Sequence, residues 1–273
     1  MTDAPSHVHE CAKPTKVALS ILHLLVRLPV NTLPRTLDGA LYLLKHRRFQ
    51  EIGNKLLDQL HREWVSYGLR RDLLNIQEPF QARIPLAIRP LRKDDIPHVL
   101  PVDDPSLDRK ERLEVRSRRE HLENDIPTPY VAVDLRTDTP CFIQWLMGPE
   151  HNDKIQSFFK GRFPILESNE MLLENAYTPV AYRHKGVMPA AMAMIAEQAL
   201  HLGRRYVITF VLHDNVPSLK GCTKAGFQPY LIRRDTQTLF NLFKRRQFTR
   251  ISSPFSFPHE AKRASQDLSL ELS

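Results

Sequence analysis

Apolar positions in the first quarter of the chain recur every three or four residues. Val17, Ile21, Leu24 and Leu28 form one stripe that Pro29 stops, and Leu37, Leu41 and Leu44 mark a second stretch. Phe49, Ile52, Leu56, Leu57, Leu60 and Trp64 follow an i, i+3, i+4, i+7 series with Gly68 just beyond. This spacing predicts a helical region over 15–80 behind a disordered start at 1–14, with a polar, Pro-bearing linker at 70–83. The pattern then changes. Residues 84–89 read as a strand, followed by a short helix that Asp94 or Asp95 caps. Residues 103–125 are highly charged, with Leu107, Leu113, Val115 and Leu122 as the only apolar anchors, which predicts a salt-bridged exposed helix. Runs at 130–135 and 141–147 flank a turn and predict an antiparallel hairpin. The long polar connection 148–170, bearing Phe158, Phe159 and Phe163, is expected to serve as a lid or substrate wall.

The chain is organised around 171–203. Leu172, Leu173, Ala176 and Tyr177 supply a strand that Pro179 ends. A basic turn, Tyr182 to Met188, leads into a helix whose first residue is expected to be Pro189, which has no N–H to leave unpaired. Ala191, Met194, Ile195, Gln198, Ala199 and Leu202 recur at helical spacing, and Gly203 closes the helix. Next comes 206–212, apolar on both faces and so a buried strand. A short helix ending near Gly226 follows, then closing strands at Leu231-Ile232 and 239–243, and a Ser-, Pro- and charge-rich tail at 249–273 that is expected to be flexible.

The formal net charge of +8 favours anionic partners: a phosphorylated cofactor, nucleic acid, an acidic carrier protein or an anionic membrane surface. Nucleic acid is the least favoured, because the basic residues are dispersed without interleaved aromatic side chains. Three well-separated cysteines, Cys11, Cys141 and Cys222, exclude a disulfide framework and a CxxC zinc site, and fit a cytoplasmic protein. The apolar run 17–26 contains His23, meets Arg27 directly and lacks a small-residue cleavage site, so it reads as a helix of a soluble protein. The turn sharpens the charge argument. A strand feeding a basic loop into a helix start presents unpaired N–H groups and the positive end of the dipole, which together make an anion site. An ordinary connection that happens to be basic is the competing reading.

The turn Tyr182-Arg183-His184-Lys185-Gly186, preceded by Tyr177-Thr178-Pro179, resembles the acyl-CoA-binding motif of the GNAT acetyltransferases, Q/R-x-x-G-x-G/A. Arg183 and Gly186 match, and Met188 stands where that family has Gly or Ala. Asn215-x-x-Ser218 with Lys224-Ala-Gly226-Phe227 resembles the family's later N-x-x-A/S and K-x-G-F elements, and the resemblance spans roughly 84–245. It implies an α/β (α+β) GNAT-like fold: a mixed, splayed sheet flanked by helices, here with an N-terminal helical extension. It also implies acetyl-CoA as acyl donor and an amine as acceptor. Backbone groups of Tyr177 and Thr178 would line the pantetheine arm, Arg183 and the amides of His184, Lys185, Gly186, Val187 and Met188 would hold the pyrophosphate, and Asn215 would bond the pantetheine.

Acyl transfer to an amine needs orientation, a base and a way to protonate the leaving thiolate. Glu174, a carboxylate in an apolar strand, is the first candidate base, with Glu167, Glu170 and His213 behind it. Cys222 occupies the position where many members of the family place an acidic Tyr, so it is a candidate acid, with packing as its other role. Two alternatives stand beside N-acetyl transfer: use of a longer acyl-CoA or an acyl carrier protein, and a non-catalytic acyl-CoA-binding module. The acceptor and the oligomeric state are not legible.

Overall fold

The computed structural model describes residues 61–238, 243–252, 255 and 257. The chain divides into two units, 1–63 with 236–244 and 64–235 with 245–273, and the side-chain contacts described below all lie within the second. The helices expected between 15 and 60, the disordered start at 1–14 and most of the expected strand at 239–243 fall outside the described residues.

Eight strands are described: β1 (His61–Asp72), β2 (Leu86–Pro90), β3 (Pro129–Asp134), β4 (Thr139–Met147), β5 (Glu170–Tyr177), β6 (Tyr206–Leu212), β7 (Gln228–Thr238) and β8 (Phe243–Arg250). They form one mixed sheet in the order β2-β3-β4-β5-β6-β1-β7-β8. The pair β5–β6 is parallel, while β2–β3, β3–β4, β4–β5 and β1–β6 are antiparallel. Helices α1 (Ile96–Val99), α2 (Arg109–Glu123), α3 (Asn152–Phe158), α4 (Val187–His201) and α5 (Val216–Lys224) flank the sheet.

Two cores result. One contains α4 and α5, with Ala191, Ile195, Ala196, Ala199, Leu219 and Phe227 against Leu69, Phe142, Leu173 and Val207. The alanines of α4 let that helix lie close to the strands. The other joins α1, α2 and α3 through Val99, Val115 and Ile155 to Val131, Trp145, Leu172 and Phe210. The hairpin β3–β4 and the buried strand β6 form as their patterns predict. Asp95 acts differently from a plain cap: Arg89 holds its carboxylate (Nη2 to Oδ1, 2.7 Å), which also accepts the Arg92 N–H at 2.7 Å.

Four expectations need correction. Residues 61–72 form a strand, so the helical reading fails over this segment and the domain begins before 84. Ser66 to Asp72 pair with Leu212 to Tyr206, and this tertiary pairing outweighs a helical series that reached only its end. The linker reading of 70–83 fails at its start for the same reason. Arg71 is buried and donates to the Ala193 carbonyl (2.9 Å) and to Glu197 (2.8 Å), tying β1 to α4. Gly68, which suggested a helix stop, instead permits close packing, since a Cβ there would lie 2.9 Å from Leu231 Cγ and 3.0 Å from Phe210 Cε1. The tail also holds more order than its composition suggests. Residues 249–250 finish β8, and Phe255 and Phe257 pack edge-on against Tyr67 with ring centroids 5.4 and 5.2 Å away.

Candidate functional site

The ladder between β5 and β6 contains Glu170↔Tyr206, Met171↔Val207 and Leu172↔Ile208, and ends there. Both strands continue, β5 to Tyr177 and β6 to Leu212, so their C-terminal halves part. Backbone groups facing this split lack a ladder partner and suit an extended, amide-bearing ligand. A bulge in β5 contributes to the divergence. Trp145 pairs with Glu174 and Ile143 with Tyr177, so three steps on β5 oppose two on β4, and Asn175 takes up the extra residue at φ 62°.

Beyond the split, a short 3-10 turn (Val180–Tyr182) leads to α4. The helix begins at Val187 rather than at Pro189, with Gly186 as its N-cap at φ 75° and no side-chain cap. The first internal bond runs from Ala190 N to the Gly186 carbonyl. The N–H groups of Gly186, Val187 and Met188 have no partner among the described residues, which is the donor set an anion needs. Gly186 carries a second constraint, since a Cβ there would meet Phe80 Cε1 at 3.0 Å and the Ala82 backbone at 3.4 Å. His184 also has positive φ, at 62°, so the turn is tightly wound. Lys185 lies with Nζ 5.1 Å from the Tyr182 ring.

Arg183 is committed elsewhere. Its guanidinium pairs with Glu111, and its Nε donates to the Thr178 carbonyl at 3.0 Å. The Tyr177 hydroxyl donates to the same Glu111 oxygen at 2.7 Å. Glu111, buried on α2, thus fixes both ends of the turn, and sequence reasoning missed it because it sits in a helix whose composition reads as exposed. Met188 directs its sulfur at α5, where a Cβ on Gly221 would come within 2.3 Å of Sδ. The Asn215 side chain caps α5 by accepting from Ser218 N at 3.2 Å, which leaves its amide nitrogen as the only side-chain donor for a ligand.

Glu174 lies at the bulge. Its Oε2 is enclosed and has no hydrogen-bond partner among the described residues. Burial pushes its carboxyl up to about 7, against the attraction of Arg233, a hydrogen bond from the Asn175 backbone, and the charges of Arg118 and Arg162. Arg233, on β7, is buried against the Phe210 ring (5.4 Å). It donates to Ser66 Oγ and the Arg162 carbonyl at 2.9 Å each and pairs with Asp235 at 2.9 Å. No spacing rule pointed to Arg233, because β7 and the 160–163 loop are distant in sequence.

Cys222 faces the same region from α5 but is 1% exposed and lies 3.8 Å from Met192 Sδ. Burial, with the Glu174 charge nearby, pushes its thiol up to about 12. Enclosed against Met192, the thiol has the surroundings of core packing, the second of the two roles its position offers. Glu170 closes the turn before β5 by accepting Glu167 N at 3.2 Å, and His213 lies 3.3 Å from the Val65 carbonyl. Neither contact gives these residues a place at the split.

The sheet and site define a mixed α/β fold with a split between its parallel strands, the architecture that the resemblance implies. No family model matches the chain, and no curated protein matches it in sequence. Solved structures similar to it include a GNAT-family acetyltransferase from Colwellia psychrerythraea, with 10% identity and a TM-score of 0.43 over 64% of this chain and 55% of that one. A GCN5-related N-acetyltransferase from Sphaerobacter thermophilus gives 12% identity and 0.38 over 74% and 58%. The GCN5-related glucosamine N-acetyltransferase region of a fungal multi-domain β-N-acetylglucosaminidase gives 14% and 0.48 over 70% and 22%. The chain thus spans little more than half of the first two of these proteins. Among the described residues no helix is long and apolar enough to cross a membrane.

Proposed function

We propose that this chain is an acyl-CoA-dependent N-acyltransferase, with acetyl-CoA as donor and an amine as acceptor. The observation that carries the proposal is the split between β5 and β6, which has the unpaired N–H groups of Gly186, Val187 and Met188 at one end and the enclosed carboxylate of Glu174 beside it. The bound donor supplies a thioester carbonyl. The protein orients the amine, and Glu174 takes its proton as the new C–N bond forms and the C–S bond breaks. With its pKa near neutrality, Glu174 is matched to that task. Cys222 is too buried to protonate the leaving thiolate, so in this mechanism the thiolate departs to solvent.

The test is thermal stability with acetyl-CoA, free CoA and a long-chain acyl-CoA, followed by CoA release on an amine panel. Gly186 is a poor site for the test, since any side chain there is strained whatever binds. Lys185→Glu instead places a carboxylate beside the proposed phosphate site without altering a glycine. The expected result is stabilisation by acetyl-CoA that Lys185→Glu weakens by about tenfold in apparent affinity, the size of one charge-assisted contact. Equal stabilisation of both proteins, or none by any donor, would defeat the reading. Stabilisation by the long-chain donor alone would reassign the acyl group.

A further inference from the structure

Tyr206 begins β6 and the split lies at its far end, so the N-terminal edge of this strand is roughly 20 Å from the proposed acyl-transfer site. A cleft of about 170 Å³ opens at this edge, lined by Arg70, Asp72, Asn75, Gln77, Gln228 and Tyr230. Its central group is Arg70. The guanidinium lies over the Tyr206 ring at 4.5 Å and the Tyr230 ring at 5.1 Å. Among the described residues it makes no hydrogen bond and no ion pair. The rings hold the cation in place, and the N–H groups of this half-buried guanidinium remain accessible to a ligand in the cleft. Its neighbours differ: Asp72 receives 2.9 and 2.6 Å bonds from Arg205, which is stacked on Tyr206 at 4.8 Å.

The cleft therefore sets Arg70, a cation without a protein acceptor among the described residues, beside the Asp72–Arg205 ion pair. Arg70 and Asp72 are two apart on β1 and share a face, with Cα atoms about 7 Å apart. Arg70 offers the planar fork that suits a carboxylate. Asp72 spends three of its roughly four acceptor positions, two on Arg205 and one on Leu74 N at 3.1 Å, and keeps one for a donor. The remaining acceptor position of Asp72 disfavours a phosphate dianion, which has no donor to offer it. The amides of Asn75, Gln77 and Gln228 supply uncharged donors and acceptors around both. At this volume the cleft is smaller than sites for drug-sized ligands or nucleotides. A molecule with a carboxylate for Arg70 and an ammonium group for the remaining acceptor position of Asp72 meets both groups at once.

We propose that this cleft is a binding site for a free α-amino acid, held by its carboxylate on Arg70 and its ammonium group on Asp72. The site is separate from the split, so it stands or falls without the acyltransferase reading.

The test is an NMR titration of the full chain with L-alanine, sodium acetate and inorganic phosphate, read at the side-chain amides of Asn75, Gln77 and Gln228. The expected result is a saturable shift with L-alanine, weaker binding of acetate and weaker still of phosphate. Arg70→Gln should weaken L-alanine binding by about tenfold or more, the worth of a charge-assisted bidentate contact. Gln228→Glu, at an exposed wall position that leaves the Tyr–Arg stack untouched, should also weaken it by repelling the carboxylate. The proposal is overturned if L-alanine gives no saturable shift, if neither variant changes it, or if phosphate or acetate binds as tightly as L-alanine.

Discussion

Replacing Glu174 by Gln separates the cost of a buried carboxylate from its use. The side chain keeps its shape and loses its charge. In the folded protein burial raises this carboxyl from an ordinary 4.5 to about 7. Below pH 4.5 both folded and unfolded chains hold the proton, and the two proteins should be nearly equally stable. Between 4.5 and 7 the unfolded chain releases a proton that the folded chain retains, so wild type loses stability by about 1.4 kcal/mol per pH unit at the steepest. Above 7 both states are ionised and the deficit is complete. A rise of this size corresponds to about 3 kcal/mol. For a domain of this size that is on the order of 6–12 °C in melting temperature.

The assay is urea unfolding of both proteins from pH 4 to 8, alongside turnover at pH 7.5. Glu174→Gln should be the more stable protein at neutral pH, by a margin that grows from pH 4.5 and levels off near 7. In the same buffer it should lose turnover by roughly 10²–10⁴, the usual contribution of a positioned base. A stability difference that is flat across this range would refute the claim that the carboxylate is desolvated in the folded protein. Undiminished turnover would refute its role as base while leaving the stability argument intact.

The remaining predictions concern the frame around that site. Cys222→Ala should cost about 1 kcal/mol by urea unfolding, through lost packing, and leave the pH profile of turnover unchanged; a profile that loses its basic limb would restore the thiol as an acid. Gly68→Ala should destabilise by about 1–3 kcal/mol, because β7 and Phe210 leave no room for a methyl group on β1; a neutral result would mean the strand is not packed there. His121 is buried with Nδ1 2.9 Å from the Ser117 carbonyl, and burial holds its pKa below the usual 6.5. Below 6.5 the unfolded chain therefore takes up a proton that the folded chain resists, and stability falls as the pH is lowered. In the Glu174→Gln background, which removes the opposing titration, His121→Phe should flatten that fall in unfolding curves between pH 6.5 and 5.

The sequence-readable parts of the molecule are those whose cause is local. The buried strand at 206–212 and the helix after the basic turn depend on patterns within a dozen residues, and both form. Strand β1 was illegible because Leu57, Leu60 and Trp64 continue a helical series while the alternation of Tyr67, Leu69 and Arg71 is hidden by an arginine that buries its head against α4. At the candidate site, Gly186 and the unpaired amides after it follow from the turn, but the commitments of the side chains do not. Arg183 looks free in sequence and is claimed by Glu111, 72 residues earlier. Arg233 reaches the surroundings of Glu174 from a strand near the other end of the sheet.

This division has a consequence for the chemistry. With Arg183 held by Glu111 and the Thr178 carbonyl, the positive charge available to an anion at the turn comes from the helix start and Lys185, and Arg183 instead sets the position of the loop. Neutralising Glu111 would free the guanidinium and unpin the turn together. Glu111→Gln should therefore weaken donor binding even though it removes a negative charge from the neighbourhood of a bound anion. A simple charge account predicts tighter binding, so the sign of the change in donor affinity, measured by calorimetry with acetyl-CoA, discriminates between an arginine that grips the ligand and one that shapes the loop.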